Sequence, residues 1–172
     1  MKYTIVDVET TGLSARNANV IEIAALKVID GRIEKNYYHS LVNPGFDVGA
    51  FTTRLTGITN KQLRDAPSFY EIAEGFLDFL KDGSVFVAHN ARFDESFINE
   101  ELKRNSLEKF ANEVLCTIRY ARKVVPGLPS YSLENLIKHF QFEHKKNHRA
   151  LDDVRITARL FLKLLELENG RR

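Results

Sequence analysis

The chain opens with Tyr3-Thr4-Ile5-Val6, a run rich in β-branched residues that is broken by two acids, Asp7 and Glu9. Such a run reads as a buried strand, and a buried strand commits the chain to a sheet. Alternation along a strand puts residues i and i+2 on one face, roughly 7 Å apart. Asp7 and Glu9 therefore project side by side from the end of an apolar strand. Two carboxylates that close repel each other and resist desolvation, and no Lys or Arg alternates with them. Either the strand ends there and both acids face water, or a metal ion offsets their charge. On the pair alone, both readings stand.

The pattern that follows fixes the fold class. Val20 to Ile29 reads as a second strand, Asp30-Gly31 as a hairpin turn and Arg32 to Val42 as the returning edge strand. Asn43-Pro44-Gly45 breaks it. Residues 46–67 read as irregular, with a short helix from Asn60 to Arg64. Ala66-Pro67-Ser68 opens a helix to Lys81, with Phe69, Ile72, Ala73, Phe76, Leu77 and Leu80 at helical spacing. Val85-Phe86-Val87-Ala88 is a continuous apolar run, which suits a buried parallel strand. A helix from Phe93 to Asn105 follows, then a short strand at Val114-Leu115-Cys116 and a helix to Val125. Ser132 caps a helix from Leu133 to Phe140, and the last helix runs from Ala150 to Glu168. A hairpin meander followed by alternating helix and strand is an α/β fold with a mixed five-stranded sheet flanked by helices. No boundary splits the chain, so residues 1–168 are expected to form a single domain, with 169–172 a short tail.

Bulk properties narrow the function classes. The 172 residues carry a net charge of only +2, so global charge announces no nucleic-acid partner and leaves a local basic patch open. A single cysteine, Cys116, excludes an internal disulfide and fits a reducing compartment. The apolar start is too short for a secretory signal, and no apolar run is long enough to cross a membrane. The expectation is a cytoplasmic protein with no membrane partner.

Further charged residues sit where apolar ones belong. Asp94 shares a helical stripe with Phe97, Ile98 and Leu102, which should pack on the sheet. An acid favoured by a helix N-terminus is the bland account. Yet the strand Val85 to Ala88 delivers His89, Asn90 and Asp94 to the strand end where ligands gather in α/β sheets. In the last helix, neighbours Asp152 and Asp153 point about 100° apart. Asp152 shares its face with Arg155, Arg159, Lys163 and Glu166, a solvated face. Asp153 lies with Ala150, Thr157, Leu160 and Leu164, on the buried side. His148 falls in the loop just before the helix, free to lean toward Asp153. Asp7, Glu9, Asp94 and Asp153, with no thiolate cluster, suit Mg²⁺ or Mn²⁺. An open carboxylate cluster can hold two such ions about 4 Å apart, the arrangement for phosphoryl displacement.

These residues fall into three segments, Asp7-Val8-Glu9-Thr10-Thr11-Gly12-Leu13, His89-Asn90-Ala91-Arg92-Phe93-Asp94 and His148-Arg149-Ala150-Leu151-Asp152-Asp153. In that order and spacing the chain resembles the DEDDh 3′–5′ exonucleases, the family of the proofreading epsilon subunit of bacterial DNA polymerase III. Thr56-Gly57-Ile58-Thr59, Asp65-Ala66-Pro67 and Tyr131-Ser132-Leu133-Glu134-Asn135-Leu136 also match family landmarks. The resemblance implies an RNase H-like fold. It implies that Asp7, Glu9, Asp94 and Asp153 hold two Mg²⁺ or Mn²⁺ ions, with Asp7 bridging both, and that His148 is the general base. Thr10, Thr11 and Gly12 would approach the 3′-terminal nucleotide, and Asn90 would be a further substrate contact. Leu13 and Phe93 would flank the terminal base, or are plain core residues. Two departures stand out: many relatives have His at Thr56, a substrate contact that is then lost or altered, and Asp at Cys116, which is no metal ligand in the pattern. Lys145, Lys146 and Arg149 crowd His148 and either guide a phosphate backbone or are simply solvated.

The resemblance implies a metal-dependent 3′–5′ exonuclease on single-stranded DNA, releasing nucleoside 5′-monophosphates in replication proofreading or repair. DNA is favoured over RNA as the partner, though no residue settles the sugar. An exoribonuclease of the same family, a non-catalytic nucleic-acid-binding module and an accessory subunit of a DNA polymerase are the alternatives.

Overall fold

A computed structural model describes residues 1–143 and 149–170. Strands β1 (Lys2–Thr10), β2 (Val20–Ile29), β3 (Arg32–Leu41), β4 (Val85–Ala88) and β5 (Val114–Cys116) form one sheet in the order β3-β2-β1-β4-β5. β1 pairs antiparallel with β2, and β2 with β3, through the Asp30-Gly31 turn. β1 pairs parallel with β4, and β4 with β5, so the meander meets the crossover half at β1. The mixed α/β sheet expected from the sequence is the one observed.

The helices are α1 (Ala50–Thr56), α2 (Asn60–Arg64), α3 (Phe69–Leu80), α4 (Ala91–Arg104), α5 (Thr117–Val124), α6 (Leu133–His139) and α7 (Ala150–Asn169). Ser68 and Glu71 form a capping box that starts α3, and Ser132 accepts from the Asn135 N–H to start α6. α1 is the one helix absent from the sequence reading. It starts at Gly49 without a side-chain cap and buries only Thr52 and Thr56, so it carries no apolar periodicity.

Strand alternation divides the core in two. Val6, Val8, Ile23 and Ala25 face α3 and α4, meeting Phe76, Phe97, Ile98 and Leu102. Ile5, Ala24, Leu26 and Val28 face α7, meeting Ala150, Val154, Ala158 and Phe161. Each fully buried Phe or Leu contributes roughly 1.5–3 kcal/mol of apolar transfer, which fixes both helices against β1. The period of two then places residues 5, 7 and 9 on the α7 face. β1 runs to Thr10, so Asp7 and Glu9 are strand residues inside the sheet. Pairing opposite Ala24 and Glu22 carries them past the apolar run.

Candidate active site

Asp7 and Glu9 leave β1 toward α7, and Asp153 leaves the first turn of α7 toward β1. One carboxylate oxygen from each lies within 4.8 Å of the other two, and all three residues are half-buried. Asp94 arrives from the opposite side. It sits in the first turn of α4, is 2% exposed, and its Oδ1 accepts the Val8 N–H at 3.2 Å. It lies outside the three-residue cluster but is the charge that weighs most on Asp7.

The acids are held in an environment that disfavours their ionised forms. Burial pushes Asp7 well above the usual carboxylate range, and the neighbouring Asp94, Asp153, Glu9 and Glu22 add to it. Glu9 is pushed up to about 8, by burial first and then by Asp153, Glu22 and Asp94, with Arg149 pulling the other way. Burial raises Asp94 to about 8, against the opposing hydrogen bonds from its own N–H and that of Val8. Hard oxygen donors converging where protonation would otherwise be forced fit a divalent cation. Of the two readings of Asp7 and Glu9, a strand end facing water does not match this burial.

The remaining candidates divide. Asp152 points outward to Arg155 at 3.7 Å, apart from the cluster. His148, Lys145 and Lys146 lie outside the described residues. Arg149 does not reach out as a phosphate guide: its guanidinium turns inward to Glu22. Thr10 donates its hydroxyl to the Gly12 carbonyl at 2.7 Å, and the Thr11 hydroxyl accepts the Asn19 N–H at 3.0 Å, so both build the turn after β1. At Gly12 an added Cβ would lie 3.2 Å from the Ala18 Cβ, so the close approach there is to Ala18. Leu13 is 93% exposed, which removes the core reading for it. Phe93 is half-buried against Phe97, with ring centroids 4.7 Å apart. Asn90 caps α4 in the left-handed region, φ 70°, with no side-chain cap bond. Thr56 is buried and uses its hydroxyl on the Thr52 carbonyl and the Ile58 N–H, a structural role.

Sequence reasoning missed Glu22. It lies opposite Glu9 in the β1–β2 pairing, is fully buried, and takes hydrogen bonds from Arg149, His39 and the Ala150 N–H. Its signal was present: Val20-Ile21-Glu22-Ile23-Ala24 carries one charge inside a fully apolar run. His89 follows β4 at the strand end where the sequence places it. Its Nδ1 meets the Thr117 hydroxyl at 2.8 Å, and burial holds the imidazole down at about 4, against a hydrogen bond with the Tyr131 backbone.

A family profile described as an exonuclease, RNase T, matches residues 4–161. The epsilon subunit of DNA polymerase III of Aquifex aeolicus is 40% identical over 164 residues, covering 95% of this chain and 80% of that one. A PolC-type DNA polymerase III of Streptococcus pyogenes is 42% identical over 164 residues, and the chain spans 11% of that protein's length. The structure of Exonuclease X in complex with 5′ overhanging duplex DNA superposes with a TM-score of 0.75 at 30% identity, covering 97% of this chain and 93% of that one. E. coli Exonuclease I in complex with a dT13 oligonucleotide shares the fold, with a TM-score of 0.86 at 19% identity over 98% of this chain and 42% of that one.

Proposed function

The chain belongs to the RNase T exonuclease family and is a 3′–5′ exonuclease, and from that premise we propose that it degrades single-stranded DNA to nucleoside 5′-monophosphates. The observation that carries the site is the convergence of Asp7, Glu9 and Asp153 within 4.8 Å beside buried Asp94. These four acids hold Mg²⁺ or Mn²⁺, and residues 1–168 act as one exonuclease domain. The likeness to a polymerase III epsilon subunit supports a role in proofreading or repair beside a DNA polymerase.

Bound divalent cations supply the positive charge that offsets the phosphodiester and the developing charge of an in-line displacement. The chain supplies the rest. Asp7 and Glu9 are fixed by the sheet, Asp153 by a helix packed on the same face, and Asp94 by its bond to the Val8 N–H. Rigid elements hold such a constellation better than loops do. His148, next to the fixed Arg149–Ala150 backbone, takes the proton from the attacking water; an imidazole titrates in the right range for that task. Leu13, exposed after the Thr10–Gly12 turn, presents an apolar surface to the terminal base, with Phe93 and Asn90 on the α4 side.

The test is shortening of 5′-labelled single strands, DNA and RNA of matched sequence, with Mg²⁺, with Mn²⁺ and with chelator. Progressive loss from the 3′ end of DNA, stopped by chelator and by Asp7→Ala, is the expected result. Shortening that survives Asp7→Ala, or a preference for RNA, would refute the corresponding part of the reading.

A further inference from the structure

We propose that Glu22 and Arg149 are positioning residues that set the first turn of α7, and with it Asp153, against the catalytic strand. The inference rests on the exonuclease reading of that site.

Glu22 stands opposite Glu9 on the face that α7 covers, yet it does not belong to the acidic cluster. Its carboxylate is consumed elsewhere. Arg149 Nε donates to both oxygens at 3.0 and 3.1 Å and Nη2 donates at 2.7 Å, a bidentate fork. The Ala150 N–H donates to Oε2 at 2.9 Å, and His39 Nε2 lies 2.8 Å from Oε1. Glu22 thereby satisfies the first free N–H of α7, which has no side-chain cap from Arg149. The Arg149 carbonyl in turn accepts the Asp153 N–H at 3.0 Å and the Asp152 N–H at 2.9 Å. A continuous set of bonds therefore runs from β2 through residue 149 to the backbone of Asp153. A carboxylate at a helix N-terminus also complements the dipole there.

A merely structural ion pair would show itself in stability alone. The variants Glu22→Gln, Arg149→Met and the double substitution separate the two roles. Each single change leaves a buried charge or donor without its partner and lowers the melting midpoint. The double change removes both charges together and restores much of it. On the positioning reading, kcat on a single strand falls about 10–100-fold in both singles and stays low in the double, with KM shifted much less. Mn²⁺ affinity, read by electron paramagnetic resonance on the folded proteins, weakens about 10-fold in the same variants. Recovery of kcat and Mn²⁺ affinity together with the melting midpoint in the double variant would overturn the proposal. So would Mn²⁺ affinity unchanged throughout. A wild-type protein inactive on every strand would instead refute the exonuclease reading, and the Mn²⁺ measurement would still decide the positioning role.

Discussion

The backbone N–H of Val8 donates to Asp94 Oδ1 at 3.2 Å, tying the first turn of α4 to the strand that carries Asp7 and Glu9. Val8 itself packs among the residues that face α4. Asp94 thus has a structural contact that needs only an acceptor oxygen, and a charge that only a cation can use. Asp94→Asn keeps the first and loses the second. It should leave the chelated protein as stable as wild type or more so, and lower kcat more than about 100-fold, the upper range for losing an outer-sphere partner. Thermal melts and single-strand degradation, run side by side, check both halves. A variant that unfolds would show that the charge, and not just the oxygen, holds α4.

Stability without metal should depend on pH in a defined direction. Glu9 and Asp94 rise from ordinary values of 4.5 and 3.8 to about 8 in the folded chain. The folded state therefore binds protons that the unfolded state releases, so this contribution is complete below about pH 4 and is lost as pH climbs toward 8. In chelator the melting midpoint should fall between about pH 5 and pH 8. Saturating Mg²⁺ should remove that fall, because a cation bound only by the folded state stabilises it most where protons no longer compete. Glu9→Gln should flatten the chelator profile and abolish turnover while the fold persists. A midpoint that climbs with pH in chelator would contradict the assignment.

Arg104 offers a test of the turn beside the site. Its Nη2 donates to the carbonyls of Ala15 and Arg16 at 2.6 and 3.0 Å, and its Nη1 to Ala18 at 2.9 Å. Glu101, buried beside it, accepts from Arg104 at 3.2 Å and from the Val20 N–H at 3.1 Å. These bonds hold the loop that follows Leu13. Arg104→Met should cost about 1–3 kcal/mol, because Glu101 loses its guanidinium partner and stays buried against the Val20 N–H, and three loop carbonyls lose their donor. Denaturant titration measures it. With the loop released, KM for a single strand should rise more than kcat falls.

The mixed sheet and the convergence of Asp7, Glu9 and Asp153 were legible because each rests on short-range pattern. Strand alternation put Asp7 and Glu9 on one face, and helical spacing separated Asp153 from Asp152. Whether Asp7 and Glu9 face water or a cation was not legible from the pair alone, because charges near a strand end read either way until the elements packed on them are known. The role of Glu22 was hidden for a related reason: its charge inside an apolar run could be seen, but its partners could not. Its partners Arg149 and His39 are 127 and 17 residues away, and no local period brings them together. Thr10, Thr11 and Gly12 also build the turn against Asn19 and Ala18, a contact that no local pattern announces.

Leu13 separates a binding role from a packing one more sharply than any other candidate. An apolar side chain that is 93% exposed gains nothing from packing in the isolated chain, which leaves it open to a contact from outside. The 3′-terminal base supplies one, since the apolar surface that a leucine removes from water there is worth about 1–3 kcal/mol and tolerates any sequence. Leu13→Ala should therefore leave the melting midpoint unchanged, with stability within about 0.5 kcal/mol of wild type. KM for a single strand should rise by about 5–100-fold, the range that this contact energy spans. Hydrolysis of a small phosphodiester ester without a base should be unaffected, because it cannot use the contact. Equal loss on both substrates would move Leu13 from base recognition to the geometry of the acids.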